Sequence, residues 1–369
     1  MIFRPVFTRL ILIVFIQVTC LAAFAQNIKW AKDGNSFFTT EDGGIVKTEL
    51  PGITKTTFLA KADFTPKDAA NPVKVENFTF SEDGKLLLIY TNSKRVWRLK
   101  TKGDYWVLDL ASKKLWQLGK SRPASTLMFA KISPDGKKAA YVSERNVYVE
   151  DLASGEIKKL TDDLGTKKLI NGTFDWVYEE EFFCRDGFRW SPDSRSIAYW
   201  QIDANQIRDF YMIDNTDSIY SEIVPVEYPK VGEPPSPARI GVVDISTAKT
   251  TWMNVPGDPR QHYITRMEYT PDGNDIILQQ LNRKQNESKL MLCNPNSGEA
   301  RTIYSESDEA WVSTVNEWTN KVTGWDWVSG GKAFVWLSEK DGWRHYYLVP
   351  MDGKKETLLT KGEYDVMET

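Results

Sequence analysis

Short apolar runs recur along the chain and alternate with polar turns at a nearly regular spacing. Each run is rich in β-branched or aromatic residues and follows a tight turn, a pattern typical of strands that start from a β-hairpin turn. The six turns are Asp33-Gly34, Asp83-Gly84, Asp135-Gly136, Asp193-Ser194, Asp272-Gly273 and Gly330-Gly331. The runs after them cover residues 36–40, 85–90, 138–142, 196–200, 275–279 and 332–337. The pattern predicts a repeated antiparallel β-unit.

The repeat has a period of roughly 50 to 60 residues and leaves room for about four strands per unit, which is the signature of β-propeller blades. Long segments with a 3.6-residue period are absent from the sequence, so a solenoid of helices is excluded. We therefore predict an all-β fold, a β-propeller of four-stranded blades, of which about six are present.

Two segments interrupt the repeat. The interval between Asp193 and Asp272 is about 20 residues longer than the others, which predicts an insertion over residues 213–237. An acidic segment with the sequence Asp-Trp-Val-Tyr-Glu-Glu-Glu at positions 175–181 lies between the third and fourth repeats. Because both segments flank the same repeat, we expect them to meet in space.

The three adjacent carboxylates Glu179, Glu180 and Glu181 stand between aromatic residues. Burying an unpaired carboxylate costs several kcal/mol, so a sheltered cluster requires a cation, which a metal, an arginine or a ligand ammonium could supply. The alternative is an ordinary solvated helix start, with Asp175 as the N-cap and Tyr178 on an apolar face. Composition alone leaves both interpretations open.

The acidic motif, the run Arg-Trp-Ser-Pro-Asp at 189–193 and the run Tyr-Pro-Lys-Val-Gly-Glu-Pro at 228–234 together resemble the dipeptidyl peptidase IV family of serine exopeptidases. The resemblance is densest from Leu86 to Ile245. It implies an eight-bladed propeller followed by an α/β-hydrolase domain. Residues 26–369 are then expected to be an incomplete N-terminal propeller, with the C-terminal hydrolase domain absent from this chain.

The resemblance also implies site residues. Glu180 and Glu181 correspond to the glutamates that bind the free α-amino group of a peptide substrate, whereas the role of Glu179 stays open. Arg98 follows Trp97 and corresponds to an arginine that holds a substrate carbonyl; as plain chemistry, a surface arginine among neighbouring lysines is the alternative. No Gly-x-Ser-x-Gly elbow occurs between residues 26 and 369, so no catalytic residue is predicted in this chain.

The expected function is substrate selection in an exported dipeptidyl peptidase IV-like serine exopeptidase that removes N-terminal Xaa-Pro or Xaa-Ala dipeptides. Two alternatives stay open: a prolyl tripeptidyl peptidase of the same family, and a non-catalytic propeller that binds peptides or proteins. Charged residues at positions 185 and 186 depart from the family pattern, as does the absence of an aromatic-arginine loop near residues 324–327, and both put extended-substrate contacts in doubt. The implied partners are peptides with a free N-terminus, and a homodimer of the parent protein stays open.

The N-terminus predicts export. Two arginines precede a short apolar run, and Ala-Phe-Ala at 23–25 offers the small residues that a signal peptidase reads, so residues 1–25 are a predicted signal peptide. A lipid anchor at Cys20 is the weaker alternative, since its sequence context is poor. We expect a periplasmic or secreted protein without stable membrane insertion after cleavage.

The net charge and the spacing of possible metal ligands argue against two further kinds of partner, nucleic acids and metal ions. A net charge of −3 with mixed signs gives no basic stripe, so nucleic acid is not an expected partner. Cys184 and Cys293 stand far apart, and His262 and His345 stand alone, so no zinc spacing is present. We expect no metal and no cofactor, and structural roles for both histidines.

Overall fold

A computed structural model describes residues 28–162, 164–216, 218–313, 315–316, 321–322, 325–352 and 355–367. The predicted signal peptide and Cys20 lie outside these residues. The regular structure of the described residues is almost entirely β, with strands β1 to β29, one α-helix and two short 3-10 helices. The all-β fold class predicted from the sequence is therefore confirmed.

The helices and strands are numbered here in chain order. The α-helix α1 covers Trp176–Glu181, and the 3-10 helices cover Lys61–Phe64 and Ser329–Gly331. The strands are β1 Lys29–Trp30, β2 Ser36–Glu41, β3 Gly44–Glu49, β4 Thr54–Leu59, β5 Asn77–Phe80, β6 Leu86–Val96, β7 Leu99–Asp109, β8 Leu115–Gln117, β9 Leu127–Ile132, β10 Lys138–Ser143, β11 Asn146–Asp151, β12 Ile157–Lys159, β13 Leu169–Asn171, β14 Phe188–Trp190, β15 Ser196–Asp203, β16 Asp209–Asp214, β17 Glu222–Glu227, β18 Ala238–Asp244, β19 Thr250–Trp252, β20 His262–Tyr269, β21 Ile276–Asn282, β22 Glu287–Cys293, β23 Ala300–Ser307, β24 Val315–Asn316, β25 Lys321–Val322, β26 Trp325–Val328, β27 Ala333–Ser338, β28 His345–Pro350 and β29 Thr357–Leu358.

The chain divides into two compact units at Thr79–Phe80, within β5. The first unit contains one antiparallel sheet in the order β1-β2-β3-β4. In the second unit, antiparallel groups of strands again follow the chain. The first are β6 to β8, which follow β5, and β9 to β12, and the pairing of β7 with β9 joins them into one sheet. Next come β15, β18 and β19 with β13 and β14 both paired to β15, then β20 to β23, then β26 to β29. Consecutive meandering groups of about four strands are the blades of a β-propeller, as the repeat predicted.

The predicted turns all have the left-handed backbone that a tight hairpin turn requires. Their φ angles are 68° at Gly34, 71° at Gly84, 72° at Gly136, 62° at Ser194, 72° at Gly273 and 65° at Gly330. The run after each turn forms the second strand of its group, namely β2, β6, β10, β15, β21 and β27. A hydroxyl donates to the turn aspartate in several repeats, for example Ser81 to Asp83 and Thr270 to Asp272, both at 2.7 Å.

These hydrogen bonds predict acid-sensitive stability. The Ser81 hydroxyl lowers the pKa of Asp83 to about 2, and the Thr270 hydroxyl lowers the pKa of Asp272. A depressed folded-state pKa contributes stability that is present above the unfolded pKa, about 3.9, and is lost as the pH falls through the folded value. Urea unfolding from pH 4 to pH 2 should therefore show a steeper loss of stability for the wild type than for Asp83→Asn/Asp272→Asn. Parallel curves would contradict this.

The insertion begins earlier than the predicted range of 213–237, because the separate hairpin that it contains starts with β16 at Asp209. Strands β16 and β17 pair only with each other among the described strands, and they lie between β15 and β18, which are hydrogen-bonded neighbours. The hairpin therefore leaves the sheet after β15 and the chain returns to continue the same sheet at β18. This connection makes the interval between the fourth and fifth turns longer than the others.

The largest core cluster lies between the sheet of β15 and the sheet of β20 to β23. Trp200 on β15 is 2% exposed, and its indole Nε1 donates to the carbonyl of Ile264 at 2.8 Å. Phe174 packs against the Trp200 ring at 5.2 Å between centroids. The acidic segment begins directly after Phe174, so the residues of this core hold the start of the candidate site in place.

The residues that could have held a metal or a disulfide are dispersed. Cys184 and Cys293 are buried free thiols. His262 and His345 are also buried, with ring nitrogens close to Gln280 and Asp341 respectively. Within the described ranges no group of three or more potential ligands could hold a metal ion, and no helix is long and apolar enough to cross a membrane.

Candidate functional site

Helix α1 carries the acidic triplet, and its first turn is fixed by a buried aspartate. Asp175 is the N-cap: its Oδ1 accepts from the backbone N–H of Tyr178 at 3.1 Å, which stabilises a helix start by about 1 kcal/mol. Its Oδ2 accepts from the hydroxyl of buried Ser236 at 2.6 Å. Burial raises the pKa of the Asp175 carboxyl, while the bonds from Ser236 and Tyr178 oppose that rise.

The two irregular segments meet, as expected from the sequence. Ser236 follows the β16–β17 hairpin in the chain and bonds to the N-cap of α1. The ring of Trp176 on α1 also lies 4.2 Å from the ring of Tyr228, between centroids. The inserted segment therefore forms one wall beside the acidic helix.

Tyr178 attaches the helix to the neighbouring sheet. Its side chain is fully buried, and its hydroxyl oxygen accepts from the backbone N–H of Ile264 on β20 at 3.2 Å. The pairing of β20 with β21 shifts register between Ile264 and Arg266, a β-bulge. Phe182, at the end of α1, packs on Tyr263 at 4.9 Å between centroids. The helix thus has an apolar face, as predicted, but its start is buried rather than solvated.

The three glutamates occupy three different environments. Glu179 is 6% exposed, and its Oε1 lies 3.5 Å from Nε of Arg185. The side chain of Glu180 is 23% exposed and forms an ion pair with Arg98. Glu181 is exposed and has no ion pair within the part of the chain that the structure describes. Three carboxylates therefore face two guanidinium groups.

Arg98 binds Glu180 as a fork. Its Nε donates to Oε2 at 3.1 Å and its Nη2 pairs with Oε1, which is the bidentate geometry that guanidinium and carboxylate favour. Arg98 lies between β6 and β7, and 76% of its side chain is exposed. The structure thus brings the predicted residues Arg98 and Glu180 into contact and places Glu181 next to them on α1.

An apolar cavity of about 680 Å³ lies between the β16–β17 hairpin, Trp97 and helix α1. Its lining includes Trp97, Trp176, Phe210 and Tyr228. Trp97 directly precedes Arg98 in the chain. Trp176 is four residues before Glu180, so Trp176 and Glu180 lie on the same face of α1. The charge of Glu181 also acts on Tyr263 of β20. Burial raises the pKa of the Tyr263 hydroxyl, the charge of Arg283 lowers it, and the charge of Glu181 raises it further. The site is therefore acidic at its centre and aromatic at its sides.

Sequence reasoning named Arg98 and the glutamates but missed the contacts that hold the acidic helix in place. Ser236 is 61 residues from Asp175, and nothing in its Pro-rich context signals a bond to the helix. The Arg98–Glu180 pair spans 82 residues. The sequence indicated Arg185 only as a charged residue at a position where the family resemblance implies a neutral one. The fold and site together define a β-propeller domain with a braced acidic helix.

Comparison with known proteins gives the family. Residues 81–369 match the model of the dipeptidyl peptidase IV (DPP IV) N-terminal region, and the chain belongs to this family. Dipeptidyl peptidase 4 of Trichophyton rubrum is 26% identical over 345 residues, which are 91% of this chain and 43% of that protein. Its counterpart in Trichophyton tonsurans is 27% identical, with 91% and 43% covered.

A solved structure agrees on the fold. The crystal structure of Porphyromonas gingivalis dipeptidyl peptidase 4 superimposes with a TM-score of 0.83 at 24% identity, covering 93% of this chain and 47% of that one. The chain therefore spans less than half the length of these relatives.

Proposed function

We propose that this chain is the substrate-selecting propeller of an exported dipeptidyl peptidase IV-like serine exopeptidase. In this proposal Glu180 and Glu181 bind the α-ammonium of a peptide, and Arg98 holds the carbonyl near it. The observation that carries the proposal is the charge balance of the site. Three carboxylates face two guanidinium groups, and the remaining negative charge lies at exposed Glu181. One monovalent cation, such as a peptide ammonium, would neutralise it.

An anchored ammonium explains how such an enzyme counts residues. Two extended residues span about 7 Å, so only the bond after them would reach a nucleophile held at that distance. The nucleophile would belong to the hydrolase domain that the family resemblance implies. An acylated N-terminus would bring no cation and would remove water from Glu181 without supplying a partner for its charge, which is costly.

The names of the relatives favour release of dipeptides, which we propose to be Xaa-Pro or Xaa-Ala. Export is part of the proposal and rests on the sequence of residues 1–25. Mass spectrometry of the protein from the producing cells should find Gln26 at the N-terminus. Recovery of an intact Met1 would contradict export.

The decisive experiment compares a Xaa-Pro peptide with its N-acetylated twin. Binding to the chain, measured by calorimetry at pH 7, should be at least about 30-fold weaker for the acetylated peptide, because removing a partner of a charge pair costs about 2 kcal/mol or more. Affinity for the free peptide should also fall as the pH rises above its amine pKa, about 8. Equal binding of the twins would refute the amine site.

A further inference from the structure

Glu179 is the carboxylate that the amine site does not use. It is the most buried of the three, at 6% exposed, and burial raises the pKa of its carboxyl, while the charge of Arg185 lowers it. An uncompensated carboxylate in this position would be costly. Arg185, whose side chain is 19% exposed, supplies the compensating positive charge through its ion pair with Glu179.

Arg185 is itself held on two sides. Its Nη1 donates to the carbonyl of Phe183 at 3.2 Å, and its own carbonyl accepts from the Thr173 hydroxyl at 3.1 Å. Thr173 precedes α1 and Phe183 follows it, so Arg185 ties the chain that enters the helix to the chain that leaves it. Phe183 has a φ of 54°, which places the turn after the helix in the left-handed region.

The contact with Glu179 is ionic in character. At 3.5 Å, the separation of Nε and Oε1 exceeds that of an ordinary hydrogen bond, and neither atom has a hydrogen-bond partner. The attraction therefore depends on the two charges more than on shape. A neutral pair of similar size should satisfy the same site, whereas one unmatched charge should not.

We propose that Arg185 is a positioning residue of the amine site, which it serves by neutralising Glu179. The inference rests on the proposed function. Because Arg185 neutralises Glu179, this carboxylate does not turn toward a bound ammonium. Helix α1 then keeps the orientation in which Glu180 faces Arg98 and Glu181 faces solvent. Without Arg185, the carboxyl of Glu179 either takes up a proton or moves toward the nearest cation, and either change disturbs its two neighbours.

The test is a mutant cycle in the chain, with binding of the free-amine peptide as the readout. We expect Arg185→Met to weaken binding by about tenfold, the effect of roughly 1.4 kcal/mol. Glu179→Gln should weaken it less, by about threefold, and the double variant should return to within about threefold of wild type. Arg195→Met is the matched control, because that side chain is 84% exposed, and it should leave binding unchanged. Additive losses without rescue would overturn the proposal.

A crystal structure of Arg185→Met separates this inference from the proposed function. Displacement of α1 with loss of the Arg98–Glu180 pair is the expected result, and it does not depend on any ligand. If wild type fails to distinguish the acetylated twin, the amine function is wrong and the structure alone decides about positioning. An unmoved helix in the variant would refute the positioning role in either case.

Discussion

Under the proposed function, replacing Glu180 or Glu181 by glutamine in a complete peptidase that carries this propeller should lower kcat/KM for free-amine Xaa-Pro peptides by about 30-fold or more. Loss of one partner of a desolvated charge pair costs about 2 to 5 kcal/mol, and 30-fold corresponds to the lower end. Glu180→Gln also leaves Arg98 without its bidentate carboxylate. Steady-state kinetics at pH 7 provide the measurement.

Two controls accompany these variants. Glu299→Gln changes an exposed glutamate in the connection between β22 and β23 and should keep wild-type kinetics. Glu179→Gln should lose much less activity than the other two, because its carboxylate faces Arg185. If all three variants of the triplet retain activity, the acidic helix serves the fold alone and the amine assignment fails.

Trp200→Ala should cause the largest loss of stability, about 3 to 5 kcal/mol, as is typical for truncation of a buried aromatic residue. The side chain fills the core below α1, and its indole N–H is the donor to the Ile264 carbonyl, which the variant would leave without that partner. Urea unfolding followed by circular dichroism would measure the difference in midpoint.

Trp311→Ala removes the same atoms from a side chain that is 65% exposed. Its unfolding midpoint should stay close to that of wild type, since exposed substitutions usually change stability by less than about 0.5 kcal/mol. Equal losses in the two variants would mean that the core between the sheets of β15 and β20 does not limit stability.

The repeat was predictable because its determinants are local. A turn such as Asp135-Gly136 needs a left-handed residue at a fixed place, and the strand that follows needs β-branched or aromatic residues, so both signals lie within about ten residues. The start of α1 was predictable for the same reason, since Asp175 caps a backbone N–H only three residues away.

The bracing of the site was not predictable, because its partners are distant in the chain. Ser236 reaches Asp175 only after the β16–β17 hairpin has returned, and Arg98 reaches Glu180 although the whole group β9 to β12 lies between them in the chain. The bulge at Thr265, which interrupts pairing between Ile264 and Arg266, has no sequence signal of the kind that marks a turn. Such contacts follow from the packing of whole sheets, not from local preference.

The attachment of α1 to β20 has an evolutionary consequence. Tyr178 accepts from the N–H of Ile264, Trp200 donates to its carbonyl, and the thiol of Cys184 contacts the carbonyl of Thr265 at 3.2 Å. All three contacts are made to main-chain atoms, which substitution does not remove. These hydrogen bonds therefore survive changes of side chain along β20, except where the side chain itself packs on the acidic segment, as that of Tyr263 does on Phe182. A lineage could thus retain the acidic helix while the positions of β20 that do not pack on it lose recognisable similarity.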